Sequence, residues 1–228
     1  MSATYGPVNL IASFGFARRW RRQCVELAAL QPGDHVLDLM SGMGECFARI
    51  VAAVGQNGYL HGVDFSRQMM ERAGSHARQL RERRTTNIAL SETDVFQFGN
   101  DAAQSARFDA VTCSFGIKTL STGDYEALAG LLQKVLKPGG RFSIVEISVP
   151  SNRILRFFYL FYLNRIIPLI GRLFSGNPDN YRMLGFYTMQ FQNCSGLATV
   201  LKSRGMTKVR EHNLFSGCAT AITGRNGS

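Results

Sequence analysis

The chain has 228 residues, 45% of them hydrophobic and 18% charged, and a net charge of +10. That balance excludes a disordered polypeptide and fits one folded α/β domain with enough chain for a sizeable core. The positive charge raises nucleic acid, an anionic membrane surface and acidic substrates as partners, but no RNA-binding module or zinc-finger spacing accompanies it, so nucleic acid is not expected.

Residues 1–9 are polar. From Leu10 to Leu30 apolar residues recur at helical spacing, with Arg18, Arg19, Arg21 and Arg22 flanking Trp20, and the segment stops before Pro32-Gly33. Val36, Leu37 and Leu39 read as a short buried strand carrying Asp38; a turn with Gly42 and Gly44 follows, then a helix from Glu45 to Val54. A strand running through a glycine turn into a helix leaves unpaired N–H groups at the helix start and lets a ligand approach the main chain. The next strand, Tyr59 to Val63, ends in Asp64, about 20 residues after the loop, where a carboxylate can accept both hydroxyls of a ribose. With neither a full G-x-G-x-x-G nor a G-K-[ST] pattern in the loop, the expected ligand is a nucleoside without a pyrophosphate.

Ser66 can cap a helix from Arg67 to about Arg83, with Met69, Met70, Ala73 and Ala77 as its inner stripe and Arg78, Arg81, Arg83 and Arg84 crowding its end. Asn87 to Leu90 reads as a third strand with Asp94 beyond it, and Phe108 to Ser114 as a fourth, followed by a loop to Gly123. Tyr125 to Leu136 is a predicted helix, closed by Lys137-Pro138-Gly139-Gly140 before a fifth strand, Arg141 to Ile147. Strands alternating with helices predict a doubly wound, mostly parallel Rossmann-like sheet, whose ligands sit at the carboxyl ends of the strands. Asp38, Asp64, Asp94 and Ser114 all fall at or just past such ends.

From Pro150 the character changes. Arg153 to Phe174 is dense in aromatics and aliphatics but interrupted by Arg156, Asn164, Arg165, Pro168 and Arg172. Two readings meet there and can hold together: a buried helical insertion covering the sheet edge, which the residue types favour, and a functional element, either a lid over an apolar substrate or a basic amphipathic element resting on a membrane face. The tail reads as a helix to Arg204 and two strands that could hairpin onto the sheet. The expected organisation is thus a single domain: residues 1–30 an N-terminal helical cap, 31–150 the cofactor-binding core, 151–195 the lid, and 196–228 a closing helix and strands. No run reaches the roughly 18 apolar residues of a membrane span, and with no continuous apolar run at the N-terminus a secretory signal is not expected. Five scattered cysteines (Cys24, Cys46, Cys113, Cys194, Cys218) with no C-x-x-C argue against a disulfide framework or structural zinc and suit the cytoplasm. No metal-ligand cluster and no serine–histidine–aspartate triad can be argued from spacing.

This order of motifs resembles the class I S-adenosylmethionine-dependent methyltransferases, and more narrowly the ubiquinone/menaquinone-biosynthesis C-methyltransferases of the UbiE/MenG type. The resemblance spans nearly the whole chain. It rests on F-A-R-R-W, V-L-D-L-M-S-G-M-G-E, G-V-D-F-S-R-Q-M-M, F-D-A-V-T-C-S-F-G-I-K, V-L-K-P-G-G-R-F-S-I-V-E-I-S-V-P, the I-I-P-L-I-G…N-Y-R-M-L stretch and the closing L-F-S-G-C-A-T-A-I. It implies that Asp38, Met40, Gly42 and Gly44 frame the methionine end of S-adenosylmethionine and that Asp64 holds the ribose. Phe65 would flank the adenine, Asp94 with Val95 would meet the adenine edge, and Ser114 would close the cofactor site. Lys118 would be the catalytic residue, as a cation or a base, with Tyr5, Phe115, Thr119 and Tyr181 lining the acceptor; His212 would be structural. Three positions depart from the family pattern: Met40 stands for a glycine, Lys118-Thr119 for arginine-asparagine, and Tyr5-Gly6 for tyrosine-aspartate. The implied reaction is methyl transfer to an apolar aromatic or prenylated small molecule, C-methylation of a quinol-type ring above all. A phospholipid amine, a secondary metabolite, or cofactor binding without transfer are the alternatives. A homodimer stays open, and the expected location is the cytoplasm, with a peripheral position on the inner membrane face.

Overall fold

The computed structural model describes residues 15–83, 86–169 and 179–227, without the side chains of 179–182. The five parallel strands are β1 (His35–Leu39), β2 (Tyr59–Asp64), β3 (Asn87–Glu92), β4 (Phe108–Ser114) and β5 (Leu136–Ile147). The predicted closing hairpin forms as β6 (Thr207–Leu214) and β7 (Ala219–Arg225), antiparallel to each other, with β7 antiparallel to β5. The sheet order is β3-β2-β1-β4-β5-β7-β6. Strands in the centre have neighbours and helices on both sides, and Val36, Leu37, Leu60, Val63, Val111 and Ile144 are accordingly inaccessible to water.

Helices α1 (Phe16–Leu27), α2 (Phe47–Val54) and α3 (Arg67–Arg83) belong to one face, and α4 (Val95–Asn100), α5 (Asp124–Val135) and α8 (Ser195–Ser203) to the other. The inner stripe of α3 forms as its periodicity predicts, with Met70, Ala73 and Ala77 buried. Met69 departs from that stripe and turns to the cleft described below. In α1 the buried residues Trp20, Cys24 and Val25 share one face, and the Cys24 thiol lies 3.5 Å from the Cys113 carbonyl and 3.4 Å from that of Ser143. The α1 helix therefore lies over β4 and β5. Predicted and observed ends differ by a few residues. The α2 helix starts at Phe47 because Gly42 and Gly44, at φ +57° and +78°, hold the chain in a turn up to it. The β5 strand begins earlier than predicted because Leu136 pairs with Phe108 before a register shift at the Pro138-Gly139-Gly140 turn.

The segment after β5 is the largest correction. It forms α6 (Arg153–Phe161), a π-helical turn (Tyr162–Ile166) and, beyond it, α7 (Asp179–Phe191). Its first helix is not buried: α6 buries none of its residues, and Ile154, Phe157, Phe158 and Phe161 are more than half exposed, whereas Leu163 and Ile167 beyond it are buried. Their i, i+3, i+4, i+7 spacing puts them on one outward face, whose Phe158 also borders the cleft described below, while Leu155 and Tyr159 turn inward. No helix among the described residues is long and apolar enough to cross a membrane.

Phe47 ties the first loop to the sheet. A Cβ on Gly44 would lie 2.5 Å from its ring, and a Cβ on Gly62 of β2 would lie 2.5 Å from its far end. Truncating this fully buried ring is expected to cost about 3–5 kcal/mol. The urea midpoint of Phe47→Ala measures it, and an unchanged midpoint would contradict this packing.

Candidate active site

The strand order reverses between β1 and β4, and a cleft of about 860 Å³ opens over the carboxyl ends there. Its polar end is built by β1, β2 and the loops that follow them. Asp38, next to last in β1, is fully buried; Thr112, its register partner on β4, donates from Oγ1 to Asp38 Oδ1 at 2.6 Å. Asp64, last in β2, joins two loops: Gly42 N donates to Oδ2 and Ser66 N to Oδ1, both at 2.9 Å. Each carboxylate oxygen keeps a second lone pair, so two acceptor sites remain for a ligand's hydroxyls. Phe65 lies beside it on the cleft wall, 76% exposed.

The first loop departs from the expectation of free N–H groups. Ser41 N donates to Val63 O, Gly42 N to Asp64, Met43 N to Glu45 Oε2 and Gly44 N to Ser41 O. The loop can therefore receive a ligand by close approach and side-chain acceptors rather than by those four amides. Met40 adopts φ +51°, rare for a residue with a side chain, and its thioether rests where a Cβ on Gly116 would lie 2.3 Å away. The cofactor-side loop and the loop after β4 thus touch through Met40. Ser114 also lines the cleft, its Oγ 3.4 Å from the Cys46 thiol.

The loop after β4 supplies the cation. Phe115, at φ +64°, ends the strand, and Ile117–Thr119 form a short 3-10 turn. Lys118 Nζ donates to Glu146 Oε1 at 3.1 Å and to the Phe115 carbonyl at 2.7 Å, leaving its side chain 9% exposed. Lys118 is therefore neither a loop lysine facing water nor a lone charge. Thr119 is exposed at the cleft edge, its hydroxyl donating to Gly116 O.

The rest of the wall is apolar: Phe16 and Trp20 of α1, Ile147 of β5, and Leu155, Phe158 and Tyr159 of α6. Sequence reasoning missed two polar members. Arg21 of α1 pairs with Glu45 Oε1 at 2.9 Å, and its guanidinium lies 4.9 Å from the Phe115 ring centroid. Glu45 was readable only as a helix starter; the α1 arginine cluster gave no sign that Arg21 alone, among exposed Arg18, Arg19 and Arg22, turns inward. Two of the expected residues are not brought to the cleft. Asp94 is the N-cap of α4, its Oδ1 accepting Phe96 N at 2.8 Å and Gln97 N at 3.3 Å, and Val95 is packed in the core. Tyr5 lies outside the described residues, as does the Tyr181 side chain. His212 is structural, its Nε2 2.9 Å from Thr223 Oγ1 in the β6–β7 hairpin.

Residues 1–226 match the model of the ubiE/COQ5 methyltransferase family. The chain belongs to that family. A demethylmenaquinone methyltransferase of Alkalihalophilus pseudofirmus is 29% identical over 98% of this chain and 91% of its own length. A ubiquinone/menaquinone biosynthesis C-methyltransferase UbiE of Geotalea daltonii is 30% identical over 96% of this chain and 90% of its own. Among solved structures, an S-adenosylmethionine-dependent methyltransferase of Aquifex aeolicus has the same fold, with a TM-score of 0.61 at 15% identity, covering 90% of this chain and 88% of the other. The protein is thus an S-adenosylmethionine-dependent methyltransferase.

The cleft of this methyltransferase fits that cofactor. It offers carboxylates for hydroxyl and ammonium donors, and two buried polar atoms in its wall, Ser41 Oγ and Trp20 Nε1, have no hydrogen-bond partner among the described residues.

Burial pushes the Asp38 carboxyl from its ordinary 3.8 up to about 7, the Thr112 hydrogen bond only partly opposing it. Between those values the folded chain holds a proton that the unfolded chain has released. The stability at this site is therefore complete below pH 3.8 and lost as the pH rises through about 7. Asp38→Asn should raise the unfolding temperature of the ligand-free methyltransferase at pH 8 and leave it nearly unchanged at pH 4. Equal shifts at both pH values, read by calorimetry, would contradict the burial argument.

Proposed function

We propose that this methyltransferase C-methylates a quinol-type ring carried by an apolar, prenylated acceptor. The observation that carries the reading is one cleft with two unlike ends: a carboxylate-lined end at β1 and β2, and an apolar chamber beneath α6 with a single lysine at its floor. The names and coverage of the relatives support it.

In this reading Asp64 accepts the ribose hydroxyls, in charge-assisted bonds of about 1.5–3 kcal/mol each. Asp38 faces the ammonium of the methionine end, Met40, Gly42, Gly44 and Ser114 shape the wall around it, and Phe65 covers the adenine. Phe115 and Thr119 border the acceptor. S-adenosylmethionine, when bound, supplies a methyl group on a sulfonium, open to in-line attack. The remaining demand falls on the protein: the acceptor's hydroxyl gives up its proton to water at the cleft mouth, Lys118 stabilises the oxygen's developing charge, and the ring carbon so activated takes the methyl group as the thioether leaves and afterwards releases its own proton to solvent. The apolar walls orient the ring and exclude water.

We further propose that the enzyme works peripherally on the inner face of an anionic membrane. Ile154, Phe157, Phe158 and Phe161 form an outward apolar face on α6, and exposed Arg153, Arg156 and Arg165 flank it. The chamber opens under this helix, so a prenyl chain could enter the cleft from the lipid.

Two experiments test these readings. With labelled S-adenosylmethionine, methyl should pass to the ring of a chemically reduced 2-prenyl-1,4-naphthoquinone and to a quinol of the host's lipid extract, and Asp64→Ala should lose it. Label only in phospholipid would overturn the acceptor assignment. The enzyme should also co-sediment with anionic vesicles at low salt and be released at high salt, and Phe157→Glu/Phe161→Glu should abolish binding. Loss of a dimer in that variant, with no vesicle binding by the wild type, would assign the same face to a homodimer instead.

A further inference from the structure

The neighbourhood of Lys118 holds a carboxylate to which no reading above gives a task. Glu146 is the next-to-last residue of β5, flanked by β4 and β7, and none of its surface reaches water. Its oxygens are spent on one residue and one strand end: Oε1 accepts Lys118 Nζ at 3.1 Å and Ile147 N at 2.9 Å, and Oε2 accepts the backbone N of Lys118 at 3.1 Å. The carboxylate thus grips both the main chain and the side-chain tip of the same lysine.

A buried ion pair of this kind is poorly explained by stability. Taking both charges out of water consumes most of the attraction between them, and an aliphatic pair of similar volume would pack as well or better. What the pair does supply is direction. A lysine on a loop carries a four-carbon stem with many rotamers. Here two of its three Nζ donors are aimed, one at Glu146 and one at the Phe115 carbonyl, which leaves one direction open to the cleft that Lys118 lines. The Phe115 carbonyl is itself turned by that residue's left-handed backbone, at φ +64°. Strain and buried charge converge on the position of a single atom.

We infer that Glu146 is a positioning residue for methyl transfer: it fixes Lys118 Nζ where the acceptor's oxygen develops charge. The inference rests on the reading of Lys118 as the acceptor-side cation. It requires Glu146 to act through Lys118 and not on the cofactor.

The test is a cycle of Lys118→Met, Glu146→Gln and the double variant, assayed with reduced 2-prenyl-1,4-naphthoquinone at saturating S-adenosylmethionine. Lys118→Met is expected to lower kcat by about 10²-fold. Glu146→Gln should lower it by roughly tenfold, with the KM for the acceptor and the Kd for S-adenosylmethionine within about twofold of wild type. The double variant should be no slower than Lys118→Met alone. A merely structural role would instead lower the unfolding temperature and weaken both ligands without a selective fall in kcat. Glu146→Asp, which keeps the charge but withdraws it by one methylene, gives a second reading should Glu146→Gln not fold: positioning predicts a lower kcat, and a wild-type kcat overturns it. Wild-type kcat in Glu146→Gln beside a slow Lys118→Met overturns the inference alone, as do losses that multiply in the double variant. Wild-type kcat in Lys118→Met overturns the reading of Lys118 on which it rests.

Discussion

The chain runs β1-β2-β3 to one edge of the sheet and then returns to the opposite side of β1 as β4, and the crevice left at that reversal organises the molecule. Because the strands are parallel, their carboxyl ends, and the loops leaving them, gather on one rim. Asp64 is the link that makes those loops a single wall: its two oxygens hold the amide of Gly42 from the first loop and that of Ser66 from the second. Phe47, wedged between Gly44 and Gly62, anchors the same wall to the sheet from behind.

The rim also concentrates features that the fold alone would not favour. Met40 and Phe115 stand in the left-handed region with side chains attached, Asp38 is a carboxylate almost wholly withdrawn from water, and Lys118 and Glu146 are charges withdrawn from it together. Elsewhere the core follows ordinary rules: aliphatic strands, helices with one apolar stripe, buried thiols that burial holds protonated. Left-handed backbone also occurs away from the cleft, at Ala29, Ala106, Gln192 and Lys208, but Asp38 and the Lys118–Glu146 pair bring the withdrawn charges together at the cleft, the pattern expected when a site is built to be rigid before its ligands arrive.

Much of this was legible in the sequence, and the limits are physical. Short apolar runs and helical spacing placed the five parallel strands and the helices between them, because buried central strands are built mainly of apolar residues and Gly42 and Gly44 mark the turn that follows β1. Asp38 and Asp64 were found because strand-end carboxylates have one address in such a sheet. Asp94 looked the same in sequence, but standing immediately before the start of α4 it caps that helix and does not line the cleft. Glu146 was invisible for the opposite reason: inside V-E-I-S-V it reads as a stray charge in a strand, and its partner lies 28 residues away on another loop. The face of α6 was misjudged because an apolar stripe says that a surface is to be covered, and not whether protein or lipid covers it.

The central claim, that the cleft at the β1/β4 reversal seats S-adenosylmethionine with its ribose on Asp64 and its methyl group directed toward Lys118, is tested most directly by a crystal structure with S-adenosylhomocysteine. The account predicts both ribose hydroxyls within hydrogen-bonding distance of the Asp64 carboxylate, the methionine end beside Asp38 and Gly42, and the sulfur facing the chamber under α6. A nucleoside seated elsewhere, or one whose ribose leaves Asp64 bound only to Gly42 and Ser66, would contradict it.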